Sequence, residues 1–190
     1  MIHHSTILDD FFDDPNKVRD QLLKQELIDY KASDGVIYPG IIRLPFDIEQ
    51  EIMKKVRFFF GADPLPEKTT MFARFSTEEM SPPHWAHSDY NMTHQIGICY
   101  LSPVDHDWDG THLLRNKETN LEIHPETDEQ AEIIKKQAND KDKWDIIYTC
   151  PSRFNRMLFL DGALLHAAAG QFGKSKEEAR LVVTVFFSFA

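Results

Sequence analysis

The end of the chain alternates in a way that fixes its conformation. From Arg180 the even positions read Arg180, Val182, Thr184, Phe186 and Ser188, and the odd ones Leu181, Val183, Val185, Phe187 and Phe189. Successive side chains of a strand point to opposite faces, so one face is wholly apolar and large while the other is mixed. The apolar face predicts packing beneath helices; the mixed face predicts a barrel interior that holds a polar ligand. Further strands are predicted at Ser5 to Phe12 (short, leading into a turn), Ile41 to Leu44, Thr69 to Ser76, Gln95 to Leu101, Gly110 to Arg115, Trp144 to Cys150 and Arg156 to Asp161. Tyr38-Pro39-Gly40 predicts a turn ahead of the second of these.

Helical spacing is confined to three stretches. Asp14 caps a helix with Pro15 at its first position, and Val18, Leu22, Leu23 and Leu27 form its apolar stripe. A second helix runs from about Asp47 to Phe60, turning Ile48, Ile52, Val56 and Phe59 or Phe60 inward, and Gly61 stops it. Both are expected on the outer face of a sheet. A third, near 126–141, has an acidic first turn suited to the helix dipole and carries Ala131, Ile133, Ile134 and Ala138. It reads as an insertion over the rim, in the position of a lid. The expected class is therefore mainly β with flanking α-helices. A length of 190 residues fits one domain, with 1–65 as an N-terminal strand and supporting helices and 66–190 as the core.

Composition narrows the partners. With 42% hydrophobic and 27% charged residues, the chain is an ordinary globular sequence rather than a disordered one. A formal net charge of -10 repels phosphate backbones, so no nucleic-acid partner is expected. No apolar run reaches membrane-spanning length and no signal pattern opens the chain, which predicts no membrane partner and a cytoplasmic location. Cys99 and Cys150 each stand alone in apolar surroundings. They read as buried thiols of a reducing compartment, with a disulfide left open.

The candidate chemistry lies at Pro83-His84-Trp85-Ala86-His87-Ser88-Asp89. His87 and Asp89 are two apart and project from one face of an extended chain, where an imidazole and a carboxylate grip one divalent cation. A third ligand, another imidazole, would complete the 2-His-1-carboxylate set of non-haem Fe(II) oxygenases. His166 supplies it, following an apolar strand and the bend at Gly162. Rival histidines are weaker. His84 falls on the face opposite His87, His106 sits between Asp105 and Asp107 in an acidic loop, and His3 and His4 lie at the frayed start. Trp85, on the face of His87, walls the pocket or packs; His112 points into the barrel or has a non-ligand role. Arg74 shares a face with Phe72 and Ser76 and either meets an anionic substrate or makes a surface salt bridge. Trp85, Arg74 and His112 are thus the candidate substrate-pocket residues.

The order His87-x-Asp89, His166, then Arg180 in a last strand resembles the 2-oxoglutarate- and Fe(II)-dependent oxygenases, closest to their prolyl-hydroxylase-like branch, over roughly residues 70–190. The resemblance implies a double-stranded β-helix, the cupin-like jelly roll. It implies Fe(II) on His87, Asp89 and His166, with 2-oxoglutarate and O2 as cosubstrates and the far carboxylate of 2-oxoglutarate on Arg180. The implied reaction is hydroxylation of a small molecule or peptide side chain, with release of succinate and CO2. Asp89 argues against the halogenase variant, which has a small residue there. Many relatives place a serine two residues after the arginine; here that residue is Val182. Thr184 and Tyr100 are the candidates to replace its hydrogen bond. Two other readings share the fold: a cupin-like metal-binding protein or dioxygenase that does not use 2-oxoglutarate, and a binding module without metal.

Overall fold

The computed structural model describes residues 4–31, 37–80, 84–104 and 108–189. In chain order its elements are β1 (Ser5–Leu8), α1 (Pro15–Leu23), β2 (Ile28–Lys31), β3 (Ile37–Arg43), α2 (Phe46–Phe60), β4 (Thr70–Ser76), β5 (Gln95–Tyr100) and β6 (Gly110–Asn116), then α3 (Asp128–Gln137), β7 (Trp144–Pro151), β8 (Arg156–Asp161), β9 (His166–Ala168) and β10 (Arg180–Phe187). Seven strands form one antiparallel sheet in the order β1-β8-β5-β10-β4-β3-β2, and β7-β6-β9 form a second.

Strand β10 shows why the sheets face each other. Leu181, Val183, Val185 and Phe187 pack with Val18 and Leu22 of α1 and Ile48, Ile52 and Val56 of α2. Val182 and Phe186 turn the other way, joining Ile96, Tyr100, Leu158 and Leu160 of the large sheet with Cys150 and Leu164. Burying both faces of the same strand needs helices on one side and a second sheet on the other. Two facing antiparallel sheets with helices outside are the expected jelly roll.

Helix ends follow from local chemistry. The Asp14 side chain accepts from the Lys17 N–H, and Pro15 opens α1. That helix ends at Leu23, so Leu27, predicted in its stripe, lies beyond it and is 39% exposed. Gly61 closes α2 in the left-handed conformation, donating its N–H to the Arg57 carbonyl. In α3 the Thr127 hydroxyl accepts from the Gln130 N–H, and Ile134 is buried among Trp85, Leu114, Trp144, Leu165 and Ala167. This helix packs on the outer face of the small sheet.

Two local readings are corrected. Tyr38-Pro39-Gly40 lies inside β3. Gly40 has φ +72°, and a β-carbon there would stand 2.4 Å from the Phe75 carbonyl oxygen, so only glycine fits where β3 runs beside β4. Strand β2 was not predicted, because all four of its residues are exposed and no apolar face marks it. Both cysteines are free and buried. Cys99 belongs to the helix-side core and Cys150 to the inter-sheet core, so a disulfide between them is ruled out. Among the described residues, no helix is long and apolar enough to cross a membrane.

Candidate metal centre

His87 and His166 face each other across an isolated antiparallel bridge, exchanging His87 N–H to His166 carbonyl (3.1 Å) and His166 N–H to His87 carbonyl (2.8 Å). Directly opposed residues carry their side chains side by side, and the two imidazole centroids lie 4.5 Å apart. Asp89 is held two residues further on by its N–H to the Gly162 carbonyl at 2.9 Å, on the bend between β8 and β9. Its Oδ2 lies 3.6 Å from His166 Nε2. One ligand atom from each of the three side chains falls within 4.8 Å of the others.

The hydrogen bonds also set the tautomers. His166 Nδ1 lies 2.9 Å from the Leu164 carbonyl and His87 Nδ1 lies 3.2 Å from the Trp85 carbonyl. A carbonyl only accepts, so each Nδ1 carries the proton and each Nε2 keeps its lone pair for a metal. Burial, and then the neighbouring His87, push the His166 pKa down to about 4 against the pull of Asp89. The ring is therefore a neutral ligand at physiological pH. Two imidazole nitrogens and one carboxylate oxygen form the donor set that suits a non-haem Fe(II) ion.

Around the triad, Ser88 Oγ lies 2.8 Å from His124 Nδ1, and Tyr90 stacks on the His124 ring with centroids 4.8 Å apart. The His124 N–H reaches the Ala163 carbonyl. These residues were missed because their contacts join distant segments. His84 is exposed and outside the triad. Trp85 packs in the cluster under α3, donates Nε1–H to the Ala168 carbonyl and meets the His112 ring edge-on at 6.4 Å. His112 hydrogen-bonds Thr149 Oγ1 at 2.8 Å, on the face of β6 opposite Thr111. His3, Pro82, Pro83 and the loop Asp105-His106-Asp107 lie outside the described residues.

Further inside, Tyr100 Oη meets Thr111 Oγ1 at 2.7 Å and links the two sheets. Arg180 is buried, with Nε donating to Asp109 Oδ1 at 2.9 Å and Nη2 to the Gly110 carbonyl at 3.1 Å. Its guanidinium lies 5.7 Å from the Tyr100 ring centroid. The Asp109 side chain is only 1% exposed. Gly110 makes that placement sterically open: with φ +140°, a β-carbon there would meet the Cys150 carbonyl oxygen at 2.0 Å. Thr184 is flanked by Phe72 and Ile98, in an apolar row. Arg74 stands opposite Val182, and Tyr100 flanks Val182 on its other side. Among the described residues, Arg74 Nε and Nη2 are buried without a hydrogen-bond partner, and its guanidinium lies 5.9 Å from the Tyr38 ring centroid.

Solved structures of similar fold include the non-haem alpha ketoglutarate dependent epimerase SnoN from nogalamycin biosynthesis (TM-score 0.56, 15% identity, covering 99% of this chain and 77% of that one). A second structure of SnoN, in complex with Fe3+, alpha ketoglutarate and nogalamycin RO, gives a TM-score of 0.50 at 12% identity, over 99% and 80% of the two chains. EvdO2 from Micromonospora carbonacea var. aurantiaca, complexed with 2-oxoglutarate, gives 0.51 at 12% identity, over 99% and 87%. Identities this low establish the jelly-roll fold alone. No curated protein matches the sequence. A family model does, over residues 2–187, and the chain belongs to that family, described as a family of unknown function (DUF6445).

Proposed function

We propose that this chain is a non-haem Fe(II)- and 2-oxoglutarate-dependent dioxygenase that hydroxylates a small molecule or a peptide side chain, nearest to the prolyl-hydroxylase-like branch and with residues 1–190 forming one oxygenase domain. The observation that carries the reading is the triad: His87 and His166 with both Nε2 lone pairs free, and Asp89 beside them, within 4.8 Å. The similar structures, one in complex with Fe3+ and alpha ketoglutarate and another with 2-oxoglutarate, support the same chemistry.

Bound together, Fe(II), 2-oxoglutarate and O2 supply oxidation of a C–H bond, one oxygen atom going to the product and the other to succinate as CO2 leaves. The chain's own residues bind and orient. His87, Asp89 and His166 would hold the metal, and Asp89 would offset part of its charge. Arg180 is held by Asp109 and the Gly110 carbonyl and keeps further N–H donors for the far carboxylate. Tyr100 and Thr184 share its face of the sheet. Ser88, Tyr90 and His124 flank the ligand loop and are the nearest candidates to meet substrate. Two free cysteines agree with a reducing cytoplasm.

The test is anaerobic addition of 2-oxoglutarate to the Fe(II)-loaded protein. A visible charge-transfer band, with succinate release once air is admitted, is the expected result. A second reading, a metal-binding jelly roll that does not use 2-oxoglutarate, is favoured by one observation: Asp109 already neutralises Arg180. Stoichiometric Fe(II) binding without any band would select it.

A further inference from the structure

Among the described residues, the inner face of the large sheet holds one more cation than its acids balance. Arg180 and Asp109 cancel each other at 2.9 Å. Arg74, on the neighbouring strand β4 and diagonal to Arg180 through the pairs Arg74–Val182 and Ser76–Arg180, has no such partner among the described residues. Its Nε and Nη2 are both buried and both without an acceptor. A buried charged donor edge left open is costly, and natural structures seldom keep one without a use. Burial, and then the nearby Arg180, pull the Arg74 pKa below the usual arginine value, which reports the same lack of a counter-charge.

The two open atoms are a matched pair. Elsewhere in this structure Arg156 grips Asp9 by that same edge, Nε to Oδ1 at 2.6 Å and Nη2 to Oδ2 at 3.0 Å. The edge is thus shaped for side-on capture of one carboxylate. Val182, directly between Arg74 and Tyr100, offers no hydrogen bond, so a carboxylate over Val182 has Arg74 on one flank and the Tyr100 hydroxyl on the other.

We propose that Arg74 is the charge-bearing half of the cosubstrate receptor, its Nε/Nη2 edge taking the far carboxylate of 2-oxoglutarate, while Arg180, neutralised and oriented by Asp109, supplies a second contact. The inference rests on the oxygenase reading above and deepens it. One bound carboxylate brings the inner face to charge balance and fills the open donor edge. Arg74, which the sequence left as either an anionic-substrate contact or a surface salt bridge, becomes instead a contact to the cosubstrate.

The experiment titrates the Fe(II)-loaded full chain with 2-oxoglutarate and, separately, with pyruvate, which keeps the keto acid and lacks the far carboxylate. Binding is read anaerobically by the visible band, and thermal unfolding is followed in parallel. Arg74→Met is expected to weaken 2-oxoglutarate by at least about 30-fold, some 2 kcal/mol at 1.4 kcal/mol per tenfold. It should leave pyruvate and Fe(II) affinities within about threefold, and leave the ligand-free Tm unchanged or raised, because an uncompensated buried charge is removed. Arg74→Lys should recover part of the loss, since it restores charge without the fork. Arg74→Met binding 2-oxoglutarate like the wild type, or losing pyruvate and Fe(II) equally, overturns the proposal. If only Arg180→Met abolishes binding, the oxygenase reading stands and this inference falls. If the wild type shows neither a band nor a Tm shift with 2-oxoglutarate, both fall.

Discussion

The two faces of the large sheet use the same strands for opposite ends. Toward the helices, Leu181, Val183, Val185 and Phe187 pack with Ala73, Phe75, Cys99, Met157 and Phe159, and none of these side chains carries a charge. Toward the small sheet, one residue along each strand, stand Arg180, Thr184, Arg74 and Tyr100. Among the described residues, Arg74 Nε and Nη2 and Asp109 Oδ2 lack partners on that side. A face built for stability satisfies every group it buries, whereas a face built for binding keeps some unsatisfied until a ligand arrives.

Truncation should separate the two faces, most strongly where burial is complete. Phe187 is fully buried and packs edge-on against Phe60 and Phe159. Phe187→Ala should lower unfolding free energy by about 3–5 kcal/mol in chemical denaturation, while the folded fraction keeps its Fe(II) affinity. A small loss would show that the helix-side layer repacks freely. On the other face, Asp109→Ala strands Arg180 and should cost a similar 3–5 kcal/mol, although it removes few contacts. The double variant Asp109→Leu with Arg180→Met should regain most of that, because an apolar pair of similar volume replaces buried ions at little or no cost. Failure of the double variant to recover would mean that the pair contributes more than mutual compensation.

Smaller effects test the metal side. Asp89→Ala should lower Fe(II) affinity well over tenfold in calorimetry, since altering residues that merely orient a ligand already costs about 10- to 100-fold. Its stability without metal should barely change, which distinguishes it from Phe187→Ala; unchanged affinity in a folded variant removes the ligand assignment. The least change is expected from His84→Gln. His84 is exposed and outside the triad, so iron binding should stay within a few-fold of wild type. A loss like that of His87→Gln would mean a different ligand set.

Much of this frame was legible in the chain. Strict alternation over 180–189 identified a strand with one helix-facing side, and α2 was announced at both ends by Asp47 and Gly61. Spacing placed His87 and Asp89 on one side, and put Arg180 and Arg74 on the mixed faces of their strands. Elements without an apolar face left no such mark: exposed β2 went unseen, and the Pro-Gly pair of β3 looked like a turn because its close approach to β4 is not a local property.

Periodicity names the face of a strand on which a residue lies; it does not name what that face meets. Trp85 shared a face with His87 in an extended reading, yet the chain bends there and delivers its ring to the core under α3, beside His112. Asp109 is 71 residues from the arginine it neutralises. Local pattern determined the strands, the helix caps and which side chains could share a ligand, because those depend on neighbours a few residues away. Only the closing of the two sheets decided that His166 opposes His87, that Asp109 takes the charge of Arg180, and that Arg74 is left with an open edge, because burial and pairing are set by distant parts of the chain arriving at one place.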